Sequence, residues 1–186
     1  MTTKTVRIFV LALIIALSLA LPAMAKDLTQ RLGLGYNYQL GFNVLDDRFD
    51  NAFLSNDSLS AKYWFTPQIG VEAMVGFVYA KNEDDKGVGA EFGAKFLYNL
   101  IMEQQMNIYT GGGLGLLPIS VDFNDKTDNN VGFMLQGFFG TEFFLEGLPN
   151  LGFDVEVGLQ YIDYDKYQQF GTYGGGFGLF GIRYYF

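Results

Sequence analysis

The chain contains no cysteine and no histidine. Without cysteine it can build neither a disulfide framework nor a thiolate metal site. Without histidine it lacks the usual general base near neutral pH and the commonest metal ligand. The sequence accordingly offers no catalytic residue, no cofactor site and no metal site. Proline is scarce, at 4 residues of 186, and positive charge is outnumbered, with 12 Lys and Arg against 20 Asp and Glu. The net charge of −8 and the pI near 4.4 argue against a nucleic-acid partner. Long apolar runs are missing everywhere except near the N-terminus. What the chain has in excess is glycine, at 24 residues, and aromatics, at 17%, both above ordinary usage.

The N-terminal run is short. Lys4 and Arg7 precede Ile8 to Leu21, and Pro22-Ala23-Met24-Ala25 follows. A basic start, an apolar stretch of about 14 residues and an Ala-x-Ala end are the parts of a secretory signal peptide. A spanning helix would need about 20 apolar residues. The expected organisation is a cleavable signal peptide over 1–25 and one domain over 26–186. Loss of Lys4 and Arg7 takes the net charge from −8 to −10. If the mature chain crosses a membrane, it must cross with strands.

Strand periodicity runs along the whole mature chain. In the last stretch, Phe186, Tyr184, Ile182, Phe180 and Gly178 alternate with residues that include Arg183 and Gly181. Alternation of this kind marks a strand with one apolar and one mixed face. A first strand over 31–43 sets Leu32, Leu34, Tyr36, Tyr38, Leu40 and Phe42 against Gly33, Gly35, Asn37, Gln39 and Gly41. A second over 58–65 opposes Leu59, Ala61, Tyr63 and Phe65 to Ser60, Lys62 and Trp64. Further strands begin at Ile69, Val88, Asn107, Val131 and Leu151, the fifth with a Gly-rich run (GGGLGLL) that does not assign its faces. The count is eight, which is even. Turns at Pro67, Met102 and Pro149 are short, while the connections around Asp50, Asp84, Asp125 and Gln168 are longer and acidic.

Short turns on one side and longer loops on the other suit an antiparallel up-and-down transmembrane β-barrel, apolar outward and polar inward. A soluble lipocalin-like carrier would invert the two faces. The glycines of the mixed face suit a cramped lumen. The apolar faces end in aromatics: Phe65, Tyr98, Phe143, Phe153, Tyr184 and Phe186 at the short-turn end, and Tyr38, Phe42, Phe77, Tyr79, Phe133 and Tyr161 at the other. Two such girdles fit two membrane–water interfaces.

The leader, the Tyr63-Trp64-Phe65-Thr66-Pro67 segment, the alternating strands and the Ile182-Arg183-Tyr184-Tyr185-Phe186 end together resemble the small eight-stranded outer-membrane barrels, the family that includes OmpX and the N-terminal barrel of OmpA. The resemblance implies an all-β, eight-stranded, monomeric barrel integral to the outer membrane of a Gram-negative bacterium, in contact with its lipid and lipopolysaccharide. It also implies that Phe180, Ile182, Tyr184 and Phe186 form the signal read by the barrel-assembly machinery. Enzymes among such barrels resemble one another in using a catalytic histidine, so a non-enzymatic protein is expected.

The inward faces carry Lys62, Glu72, Glu91, Lys95, Glu142, Asp154, Glu156 and Arg183, with Arg31 near the rim. Folding each hairpin symmetrically places Glu72 between Lys62 and Lys95, and Glu156 opposite Arg183. An eight-stranded barrel has just enough lumen for side chains to fill, and buried charges need partners. The set reads as a structural plug, with a proton or ion path as the competing reading. The loop Asp122 to Asp128 departs from a calcium loop at Lys126 and lacks the turn glycine. The excess acid lies in the longer loops: Asp46, Asp47, Asp50, Asp57, Glu83, Asp84, Asp85, Asp122, Asp125, Asp128, Asp163 and Asp165. The expected function is envelope structure or surface interaction through these loops. A narrow channel or small-solute transporter like the OmpW-type barrels is the alternative.

Overall fold

The computed structural model describes residues 26–40, 57–82, 85–123, 126–165, 167–173 and 178–186. The expected signal peptide, Phe42, and the acids Asp46, Asp47, Asp50, Glu83, Asp84 and Asp125 lie outside them. Nine strands occur among the described residues: β1 (Leu32–Leu40), β2 (Ser58–Trp64), β3 (Ile69–Asn82), β4 (Asp85–Met102), β5 (Met106–Phe123), β6 (Lys126–Leu145), β7 (Leu148–Tyr164), β8 (Tyr167–Thr172) and β9 (Gly178–Tyr185). They form one antiparallel sheet in the order β6-β5-β4-β3-β2-β1-β9-β7-β8, and β6 also pairs with β7, which closes the ring. β9 pairs with β7 over Leu151–Glu156, and β8 pairs with it over Leu159–Tyr164. The two therefore share the eighth wall position, and the barrel is eight-stranded as expected.

The face assignment holds. Leu59, Phe77, Phe92, Phe96, Leu114, Phe139 and Leu159 are exposed on the outside, while every expected lumen charge is buried. A lipocalin-like carrier would require the reverse, so that alternative falls. The girdle residues Phe65, Tyr98, Tyr184 and Phe186 at one end, and Tyr38, Phe77, Tyr79 and Phe133 at the other, are all exposed. Tyr63–Phe65 and Tyr184–Phe186 make edge contacts on the outer surface. The Gly-rich β5 sends Leu114 and Leu116 outward and Tyr109, Leu117 and Ile119 inward. Apolar residues on both of its faces hide the alternation.

The short turns are built locally. Thr66 Oγ1 accepts from the Gln68 and Ile69 N–H groups at 3.2 and 2.9 Å, closing the turn that contains Pro67. β4 runs past the expected turn at Leu100 to Met102 through a bulge between Asn99 and Ile101, which puts both Leu100 and Ile101 on the outside. The β6–β7 turn is Glu146-Gly147, ahead of the expected turn at Pro149, and Gly147 takes φ +89°, a conformation that favours glycine.

Three of the four expected long acidic loops require correction, the one around Asp50 lying outside the described residues. The ladders continue to Asn82–Asp85, Phe123–Lys126 and Tyr164–Tyr167. Asp85, Asp122, Asp128 and Asp163 are thus strand residues, and residues 122–123 and 126–128 of the segment compared with a calcium loop belong to β5 and β6. Polarity there marks the point where the strand leaves the membrane, while the backbone still needs its ladder partners. A crossing takes about 9–11 residues. β4 to β7, at 17 to 20 residues, project well beyond it.

The lumen as the candidate functional site

The lumen is filled in layers. Lys26, Leu28 and Gln30 bring the segment before β1 across the short-turn mouth. The Lys26 N–H donates to Glu103 O at 2.9 Å and the Gln30 N–H to Trp64 O at 2.8 Å. Leu28 is buried in a cluster with Trp64, Leu97, Tyr109, Phe138, Phe144, Tyr173, Leu179 and Tyr185. Beside it, Arg31 donates to Asn150 Oδ1 and Tyr185 O, each at 2.9 Å, and to Phe186 O at 3.2 Å. The expected rim residue therefore clasps the strand that closes the barrel.

Above this stopper lies an arginine-centred layer. Arg183 projects inward from β9 and donates to Glu72 Oε1 at 2.5 Å, Asp154 Oδ1 at 2.8 Å and Ser60 Oγ at 2.9 Å. Its reach crosses β1, where Gly33 leaves the space: a Cβ there would lie 2.5 Å from Arg183 Cδ. Asn37 Nδ2 adds a donor to Glu72 Oε1 at 3.0 Å. Glu142 lies 3.6 Å from the guanidinium and receives the Tyr185 hydroxyl at 2.8 Å. Lys62 Nζ stands 3.6 Å from Glu142 and 3.8 Å from Asp154, outside hydrogen-bonding range, and 4.8 Å over the Tyr109 ring.

A second layer is centred on a lysine. Lys95 Nζ donates to Glu156 Oε2 at 2.6 Å. Glu156 Oε1 accepts from the Tyr109 hydroxyl at 2.9 Å. The Tyr173 hydroxyl lies 3.2 Å from Glu156 Oε2 and 3.0 Å from Gln136 Oε1. Trp64, Tyr109, Phe138 and Tyr173 form a run of edge-to-face rings, with centroids 5.9 to 6.5 Å apart. Lys95 sits over two of them, Phe138 and Tyr173, so ring faces cover the sides of the ammonium that carboxylates do not reach.

All eight expected lumen charges point inward and are buried. Lys62 does lie opposite Glu72, and Glu72 opposite Lys95, in strand register. The bonds nevertheless run across the lumen: Glu72 to Arg183, Lys95 to Glu156. The expected Glu156–Arg183 pairing is wrong. Glu156 faces Leu179 and Arg183 faces Gly152, because the hairpin already turns between Tyr164 and Tyr167, four residues before the centre that the symmetric pairing assumes. Three members of the network were not foreseen as such: Tyr109, Tyr173 and Tyr185, which supply hydroxyl donors to Glu156 and Glu142. Their signal was inward parity beside glycine. A Cβ at Gly140 would lie 2.5 Å from the Tyr109 ring. Buried rings thus share the lumen with the charges, and it is not simply polar.

The family model for the outer membrane protein beta-barrel domain matches residues 9–186. The chain belongs to this family. This outer-membrane barrel is accordingly an integral protein of the Gram-negative outer membrane. No curated protein sequence matches it. Among solved structures it is similar to the N-terminal β-barrel domain of Pseudomonas aeruginosa OprF, at TM-score 0.53 and 12% identity over 85% of this chain and 98% of that one. It is similar also to Neisserial surface protein A, at TM-score 0.50 and 16% identity over 84% and 95%. Ail, the attachment invasion locus protein of Yersinia pestis, matches at TM-score 0.48 and 16% identity over 84% and 95%. At these identities the likeness is one of fold.

Proposed function

We propose that this outer-membrane barrel is a non-enzymatic, non-conducting monomer that serves envelope structure, with its acidic hairpins available for surface interaction. One observation carries the reading. Lys62, Lys95 and Arg183, with Glu72, Glu142, Asp154 and Glu156, are each 2% exposed or less, inside a ring of strands stopped by Leu28 and its aromatic neighbours. An ion crossing this section would have to displace ion pairs that are costly to break. The outer face meets lipid and lipopolysaccharide. On this reading Phe180, Ile182, Tyr184 and Phe186 face outward for the assembly machinery, and three of them, Ile182, Tyr184 and Phe186, are exposed.

The test is conductance of the refolded protein in planar bilayers. The expected result is no discrete step above the lipid baseline in 1 M KCl. Regular unitary steps from the wild-type protein would replace the plug with the narrow-channel reading.

A further inference from the structure

The outer half of the lumen differs from the plug below it. Leu117, Met134 and Ile162 pack there as a separate apolar cluster, and Met74 is buried at the same end. One charge sits among them. Glu91 projects inward from β4, 5% exposed, opposite Gly76 on β3. No hydrogen bond or ion pair from a described residue reaches its carboxylate, since the lumen cations are engaged below, Lys95 by Glu156 and Arg183 by Glu72 and Asp154. Ser58 lies one step above the Leu59–Val75 pair, across Gly76 from Glu91. It is 2% exposed, and its hydroxyl has no partner among the described residues.

Two glycines, Gly76 and Gly93, flank these groups, and the Met74 methyl covers Gly93, where a Cβ would lie 2.6 Å from Met74 Cε. A Cβ on Gly76 would lie 2.9 Å from the Asp57 carbonyl oxygen and 3.7 Å from Glu91 Oε2, and one on Gly93 would lie 3.7 Å from Glu91 Oε1. A carboxylate, a hydroxyl and a carbonyl, all acceptors, thus line one level of the wall, with thioether and leucine beside them. The wall lacks two ladder pairs at the same height. The β4–β5 ladder has no pair at Ala90 or Glu91, opposite Pro118 and Leu117, because Pro118 has no N–H to offer the Ala90 carbonyl.

We propose that Glu91 and Ser58 form a binding site for a primary ammonium carried on an apolar tail. A buried ionised carboxylate without a partner is costly. The buried lumen charges are three cations and five carboxylates, so their balance leaves room for added positive charge, and Glu91, with Lys95 acting on it only at a distance, is the carboxylate among them that no ion pair from a described residue reaches. An ammonium brings three donors and needs acceptors only. A divalent metal fits less well, since it would want six or more oxygens and no group of three acidic side chains placed to hold a metal exists among the described residues. Met74 and Met134 can reshape around a tail.

The experiment is calorimetric titration of the refolded full chain in nanodiscs with hexylammonium, and with hexanol as the uncharged match. The expected result is saturable one-to-one binding of hexylammonium, at least tenfold weaker in Glu91→Gln, about threefold weaker in Ser58→Ala, and at least tenfold weaker for hexanol on the wild type. Heat-modifiable migration on gels checks that each variant is folded. If Glu91→Gln does not fold, the wild-type comparison of hexylammonium with hexanol decides. Equal affinity for the two compounds, unchanged binding in a folded Glu91→Gln, or no saturable binding of hexylammonium overturns the proposal.

Discussion

Arg183 and Lys62 are both fully buried in the same layer, yet they should differ sharply in what their loss costs. Arg183 makes charge-assisted bonds to Glu72 at 2.5 Å and Asp154 at 2.8 Å. At about 1.5–3 kcal/mol for a hydrogen bond to a charged group, the two are together worth roughly 3–6 kcal/mol. Arg183→Met would also leave Glu72, Glu142 and Asp154 with Lys62 as the nearest cation of their layer, in the range of about 3–5 kcal/mol seen when one partner of a buried pair is removed. Lys62 has no hydrogen-bond partner among the described residues, and its nearest carboxylate oxygens there are at 3.6 and 3.8 Å. Its Coulomb attraction is largely offset by the desolvation of the ammonium, so Lys62→Met should cost only about 0–2 kcal/mol. The assay is urea unfolding of the barrel in lipid vesicles, followed by fluorescence. The chain has a single tryptophan, and Trp64 sits fully buried against Tyr109, so the signal reports the lumen itself. A cost below about 1 kcal/mol for Arg183→Met, or an equal cost for the two variants, would refute the assignment of the layer to arginine bonding.

Gly140→Ala drives a methyl into the Tyr109 ring and should lower stability by about 1–3 kcal/mol, whereas Gly137→Ala, with nothing within 4 Å of its Cβ, should stay within about 0.5 kcal/mol; the same unfolding titration separates them. Leu28→Ala opens the short-turn mouth, and should cost about 2–4 kcal/mol and raise acrylamide quenching of Trp64; unchanged quenching would mean that Leu28 is no stopper. Deleting Phe186 removes a 68% exposed ring with its edge contact to Tyr184, the backbone bond to Leu32 O at 3.0 Å, and the carbonyl that accepts from the Arg31 guanidinium at 3.2 Å, for which the new terminal carboxylate on Tyr185 can substitute. Once folded, the truncated barrel should lose about 1 kcal/mol or less, but its assembly in cells should fall severalfold, measured as the heat-modifiable fraction in outer-membrane extracts.

Much of the fold was legible because a membrane barrel leaves its lipid face as a period-two apolar pattern. Leu59 to Phe65 and Leu151 to Tyr161 read correctly on both faces. What failed did so for definable reasons. The Gly-rich β5 has Leu116 outside and Leu117 inside, so hydropathy carries no parity there. Asp122 to Asp128 looked like a loop because charge was taken as the end of a strand, when it marks the end of the membrane. The eight lumen charges were found by parity alone. Their partners were not, since bonds such as Lys95 to Glu156 span 61 residues and cross the lumen between strands that are not neighbours.

The misread Glu156–Arg183 pair also shows what the ion network contributes beyond stability. In a barrel wall, a one-residue slip turns every apolar side chain inward and is strongly opposed. A slip of two or four residues keeps all faces correct, and outward hydrophobicity barely resists it. Symmetric folding of the last hairpin gave an error of this kind: Arg183 placed opposite Glu156, four residues from its true partner position at Gly152. The lumen does resolve such slips. Moving β9 by two residues puts Gly181 or Tyr185 at the height where Glu72, Asp154 and Ser60 converge, and leaves carboxylates from β3 and β7 without their cation. Those bonds join β9 to the second, third and seventh strands, so they form only when the terminal strand has docked between β1 and β7. Alternation thus selects the face, and Arg183 selects the register in which the barrel closes.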